Sequence, residues 1–124
     1  MKSIRITGTW TRSASLHEKE IARKAIKWCI KSLGLGRIRN LNIQVNLTPL
    51  YDDCWGYCEE GNTNRSYIIT IANNQSLRNF VMTIMHEMVH VRQWVRNEWT
   101  DDGEAEAWKL QEELTDSFIK ENIL

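Results

Sequence analysis

The chain predicts an α+β fold, a small β-sheet packed on three helices. Three observations carry that expectation. Leu41-Asn42-Ile43-Gln44-Val45-Asn46-Leu47 alternates apolar and polar residues with the period of two that a half-buried strand requires. Two serine-headed stretches, at Ser15 and Ser76, lead into the i, i+3, i+4 spacing of amphipathic helices. Glycine, asparagine and aspartate cluster between the periodic segments, where chain reversals belong. No repeat, linker or composition break divides the 124 residues, so residues 1–124 read as one domain able to bury its own core.

Ile4 to Thr7 is a short alternating stretch and a candidate edge strand. Ser15-Leu16-His17-Glu18 has the form of a capping box and opens a helix to about Leu33. Its buried stripe comprises Ala22, Ala25, Ile26, Cys29, Ile30 and Leu33, and Gly34 and Gly36 end it. The strand from Leu41 to Leu47 is closed by Pro49, the sole proline. Leu50 to Arg65 is turn-rich and predicts an irregular loop. Ser66 to Ala72 is a second, β-branched strand, ended by Asn73-Asn74. Ser76 caps a helix from Leu77 to about Arg96, and Asp101-Asp102-Gly103 opens a last helix towards Ile123.

Sixteen basic and sixteen acidic residues cancel, so no overall field draws the chain to nucleic acid or an anionic membrane. No segment approaches the length of a membrane span, and the N-terminal residues hold no apolar run of signal-peptide length. Three cysteines, an odd number, argue for a reducing compartment. The expectation is a cytoplasmic monomer with neither nucleic-acid nor membrane partners. Six tryptophans are many for this length, and most should anchor the core or line a cleft.

His86-Glu87-Met88-Val89-His90 is the most informative stretch. Helical residues four apart share a face, so both imidazoles can reach one metal ion. At about 100° per residue, Phe80, Ile84, Met88, Val91 and Val95 form the core face. His86 and His90 lie on another, with Thr83 and Gln93. Glu87 falls beside such an ion rather than on it, where a general base must sit. Chance matches to a five-residue pattern do occur, but paired histidines outside the apolar stripe argue against one here.

A catalytic zinc ion usually takes three protein ligands and leaves one position for water. No histidine follows His90, which leaves a carboxylate or a cysteine for third place. Asp101, Asp102, Glu104 and Glu106 are the nearest candidates. Glu104 shares a helical face with Ala107, Trp108, Gln111, Leu114 and Phe118, whereas Glu106 points with Lys109, Glu113 and Lys120 on a solvated face. An inward carboxylate needs a partner, and a cation supplies one. The competing role for Glu104 is capping, because Asp101-x-x-Glu104 has cap spacing and acids suit a first turn.

On these residues the chain resembles the gluzincin, thermolysin-like zinc peptidases. His86-Glu87-Met88-Val89-His90 is followed, after a short turn, by Glu104-Ala105-Glu106-Ala107-Trp108. The element order is similar to the minimal gluzincin core, the minigluzincin, and to small phage-encoded metallopeptidase-like proteins. The resemblance implies Zn2+ held by His86, His90 and Glu104, Glu87 as catalytic base, and a protein or peptide substrate. Ala107 becomes the small residue beside the metal helix. Trp108 stands where an aspartate often supports a histidine ligand, so that support must come from elsewhere. His90-Val91-Arg92-Gln93 is also similar in texture to SprT-like proteases, which use a third histidine that this chain lacks. The resemblance further implies that strand Ser66–Ala72 borders the cleft and pairs with an extended substrate. Tyr51, Tyr57 and Tyr67 are candidate oxyanion donors.

Cys54-x-x-x-Cys58 has no second Cys/His pair nearby and reads as loop packing or a redox-labile pair. The Tyr51–Tyr57 loop either covers the cleft or packs on the surface. Trp94 and Trp99 are expected in the core. Two alternatives stand beside a peptidase: a catalytically silent fold acting as a binding or regulatory module with a structural zinc, and a latent enzyme whose tail, Phe118 to Leu124, occludes the cleft.

Overall fold

The computed structural model describes residues 4–10 and 14–122. In chain order these form β1 (Ile4–Trp10), α1 (Leu16–Ser32), β2 (Leu41–Thr48), β3 (Gly56–Glu60), β4 (Ser66–Ala72), α2 (Leu77–Arg96) and α3 (Glu104–Asn122). The α+β expectation holds: a four-stranded mixed sheet lies with three helices. The spatial order is β1-β2-β4-β3, with β1–β2 and β2–β4 parallel and β3–β4 antiparallel. Parallel neighbours need a crossover connection, and α1 supplies it between β1 and β2.

The period of two in β2 becomes its packing. Leu41, Ile43, Val45 and Leu47 are fully buried, while Asn42, Gln44 and Asn46 on the opposite face are half-buried. Ile43 pairs with Ile6 on one side and Tyr67 on the other. Ile69 and Ile71 of β4 extend the same apolar layer, against which α1 and α2 close the core.

Each helix starts where a side chain satisfies free backbone N–H groups. Ser15 Oγ accepts from Glu18 N at 3.0 Å, and Ser15 N donates to Glu18 Oε1 at 2.7 Å, the reciprocal capping box. Ser76 Oγ accepts from Asn79 N at 3.3 Å to open α2. At the start of α3, Glu104 N donates to Asp102 Oδ1 at 3.0 Å. Gly103 O accepts the first helical bond, from Ala107 N at 3.2 Å, Asp102 satisfies the Glu104 N–H from just outside the helix, and the Glu104 carboxylate is not used for capping.

Helix α2 is central: it contacts α1, α3, β3 and β4. Phe80, Val81, Ile84, Met85, Met88 and Val91 enter the core, and Val95 is half-buried at its edge. None of the helices among the described residues is long and apolar enough to cross a membrane.

Two expectations need correction. The stretch from Leu50 to Arg65 is not all irregular, because β3 lies within it and pairs Gly56 with Ile71 and Cys58 with Ile69. Its sequence lacks a β-branched run, and the strand exists because β4 offers an edge to pair with. The last helix runs as expected to Asn122, the last described residue; Ile123 and Leu124, part of the expected occluding tail, lie outside the described residues. The part of that tail from Phe118 to Asn122 continues α3, with Phe118 fully buried, and does not line the cleft.

Candidate metal centre

His86 and His90 stand one turn apart on α2 with their rings 5.0 Å apart and steeply inclined at 81°. Both are at least nine-tenths buried. The first residue of α3 meets them: His86 Nε2 is 3.0 Å from Glu104 Oε2, and His90 Nε2 is 2.8 Å from Glu104 Oε1. The ligand atoms of His86, His90 and Glu104 all lie within 4.8 Å of one another, so the group could hold a metal ion.

The hydrogen bonds on the far side of each ring decide what the near side presents. Gln93 Nε2 donates to Gly103 O at 2.9 Å and to Glu106 Oε1 at 3.0 Å, which leaves Gln93 Oε1 as the acceptor facing His90 Nδ1 at 2.7 Å. His90 is thereby the Nδ1–H form, with the Nε2 lone pair aimed at Glu104. His86 Nδ1 lies 2.9 Å from Gln111 Oε1, whose Nε2 faces Met82 Sδ at 3.3 Å. It is oriented in the same sense. Two nitrogen lone pairs and a carboxylate converge, and such an arrangement repels unless a proton or a cation sits between them.

The donor set fits a divalent ion that accepts nitrogen and oxygen ligands. The two imidazole nitrogens meet different oxygens of Glu104, at 3.0 and 2.8 Å, and the set as a whole is compact enough for one ion to bridge.

Glu87 follows His86 and points into the same cleft, with a relative exposure of 5%. No hydrogen bond or ion pair holds its carboxylate among the described residues. Burial first, and the nearby Glu104 second, push its carboxyl up to about 8. Gly56 of β3 lies directly against it.

The cleft measures about 900 Å³. One wall is β3 and the turn before it, from Asp52 to Cys58; the floor is α2; the other wall is Trp99, Asp102 and the start of α3. The Tyr51–Tyr57 loop thus contributes to the cleft instead of packing elsewhere on the surface. Of the tyrosines, Tyr57 lines the cleft, Tyr67 is buried in a stack on Trp94 at 5.9 Å, and Tyr51 is exposed outside it.

Strand β4 is paired on both edges, by β2 and β3, so it cannot take an extended ligand as an added strand. The strand bordering the cleft with one side open among the described residues is β3. Trp94 packs against the core as expected. Trp99 does not; it is 37% exposed, stacked on His90 at 6.3 Å and 19° and set edge-on to Trp94. Trp108 is 64% exposed and meets His86 edge-on at 5.1 Å.

The cysteines are free thiols. Cys29 lies in the core beside Met85 Sδ, at 3.1 Å. Burial, followed by the charge of Glu87, pushes the Cys58 thiol well up, which disfavours the thiolate that a metal would need. Glu104, not a cysteine, completes the group with His86 and His90 that could hold a metal ion. Glu106 hydrogen-bonds Gln93 instead and lies 3.6 Å from Arg92.

Gln93 and Gln111 are the site residues that the motif does not announce. Their signal is positional: Gln93 shares the helical face of His86 and His90, and Gln111 that of Glu104. Comparison with protein families, curated proteins and solved structures gives no match.

Proposed function

We propose that the chain is a zinc-dependent endopeptidase that hydrolyses peptide bonds with Glu87 as general base. One observation carries the reading. An unpartnered, nine-tenths buried Glu87 sits in an open cleft beside two histidine Nε2 atoms and a carboxylate that converge on a single point. A purely structural zinc site is closed by a fourth protein ligand and has no use for a base at its rim.

His86, His90 and Glu104 would hold the ion. When bound, zinc acidifies water and polarises a carbonyl group. Glu87 accepts the proton of the attacking water on a carboxylate oxygen and returns it to the departing amine nitrogen. A carboxyl pushed up towards neutrality suits both halves of that transfer. The edge of β3 that is unpaired among the described residues borders the cleft, which supports β3 as the strand an extended peptide would pair with.

The test is Glu87→Gln, which keeps size and shape but removes the base. Hydrolysis of an unstructured protein substrate should fall by 10²-fold or more, with zinc content unchanged. Equal turnover by variant and wild type would leave a binding module with a structural metal as the better reading.

A further inference from the structure

We infer that Gln93 is a positioning residue whose single amide sets both the tautomer of His90 and the placement of Glu104. The inference rests on the reading of these two residues as metal ligands. Gln93 is on the last turns of α2 and almost wholly buried, at 2% exposure. Its Oε1 receives the His90 Nδ1–H at 2.7 Å. Its Nε2 donates to Gly103 O at 2.9 Å, the carbonyl immediately before Glu104, and to Glu106 Oε1 at 3.0 Å. All the polar atoms of the amide are engaged, and the two sides serve the two ligands that come from different helices.

Gly103 completes the device. Its φ of +80° favours glycine, and a Cβ there would strike the Gln93 amide. The α2–α3 turn can therefore close on Gln93 only because residue 103 has no side chain. A carboxylate at position 93 could still accept from His90 but could not donate to Gly103 O, and it would face Glu106. Glutamine is the residue that meets both demands.

This predicts that the two functions separate by substitution. In Gln93→Met, both are lost. In the metal-free protein the His90 Nδ1–H, held at Gln93 Oε1, should lose its hydrogen-bonded 15N and 1H signature, and zinc affinity by chelator competition should fall 10- to 100-fold. In Gln93→Glu, His90 should keep that Nδ1–H signature while zinc affinity still falls, because Glu104 is no longer held. Adding Glu106→Gln should recover part of that affinity.

Gly103→Ala acts through the same contact, so its effect on zinc affinity should not add to that of Gln93→Met. Backbone amide spectra check that each variant is folded. An unchanged His90 signature in folded Gln93→Met, or zinc affinity within twofold of wild type in both Gln93 variants, would overturn the inference. Should the wild type bind no zinc, the metal reading fails, and the Nδ1–H measurement alone still decides the role of Gln93 towards His90.

Discussion

Gly56 lies so close to Thr83 that a Cβ on it would stand 2.5 Å from Thr83 Cγ2, with the Thr70 carbonyl at 2.9 Å and Glu87 Oε2 just beyond at 3.4 Å. The glycine is required by this approach of strand to helix, which brings β3 to the edge of the cleft. Gly56→Ala should push β3 off α2, costing about 1–3 kcal/mol as overpacking does. Urea unfolding measures it through a lower midpoint at unchanged slope. Stability equal to wild type would mean that the strand moves freely and that β3 is not a fixed wall.

The same contact explains what the sequence hides. Helices α1 and α2 announce themselves because serine caps and apolar periodicity act locally. Strand β3 does not: Gly56-Tyr57-Cys58-Glu59-Glu60 has weak strand propensity and is held by pairing with a strand that follows it. At the site, His86, His90 and Glu104 are legible because helical spacing alone puts them on facing sides of α2 and α3. The open edge of β3, the double pairing of β4 and the stacking of Trp99 on His90 depend on tertiary arrangement. Gln93 and Gln111 fall between these cases. Their faces could be counted, but no rule of spacing says that an amide will accept from an imidazole.

Zinc should stabilise the fold as well as occupy it. A ligand at 100 times its Kd adds about 2.7 kcal/mol, which for a chain of 124 residues raises Tm by roughly 10 °C. Calorimetry with zinc and with a chelator should show that rise in wild type. His86→Ala and Glu104→Ala should lose both the rise and stoichiometric zinc by elemental analysis. Full affinity retained in Glu104→Ala would move the third ligand to another acid.

Trp99 and Trp108 should report metal binding optically. They are the tryptophans in ring contact with His90 and His86 among the described residues. Zinc titration should change the emission of wild type, and Trp99→Phe with Trp108→Phe should remove most of that change. Trp28→Phe should not, since Trp28 packs edge-on to Phe118 and donates to Glu121 Oε2 at 3.0 Å, on other residues. A response that survives the double substitution would place the metal elsewhere.

The metal-free protein should lose stability as pH rises, and Glu87 should be a main reason. Its carboxyl is pushed up to about 8 by burial and then by Glu104, against an ordinary value of 4.5. Below about 4.5 both folded and unfolded chains carry the proton, and the buried neutral group costs little. Between 4.5 and 8 the unfolded chain releases the proton while the folded chain retains it, so stability drops by about 1.4 kcal/mol per pH unit across that window. Above 8 both forms are ionised and the loss levels off at a few kcal/mol. Glu87→Gln does not titrate. With chelator present, urea unfolding should give the variant a growing advantage over wild type from pH 5 to pH 8, and none near pH 4. Added zinc should shrink that advantage, because a cation held by His86, His90 and Glu104 offsets the charge that Glu104 presents to Glu87. Parallel stability curves for the two proteins would show that Glu87 ionises in the fold as easily as in water.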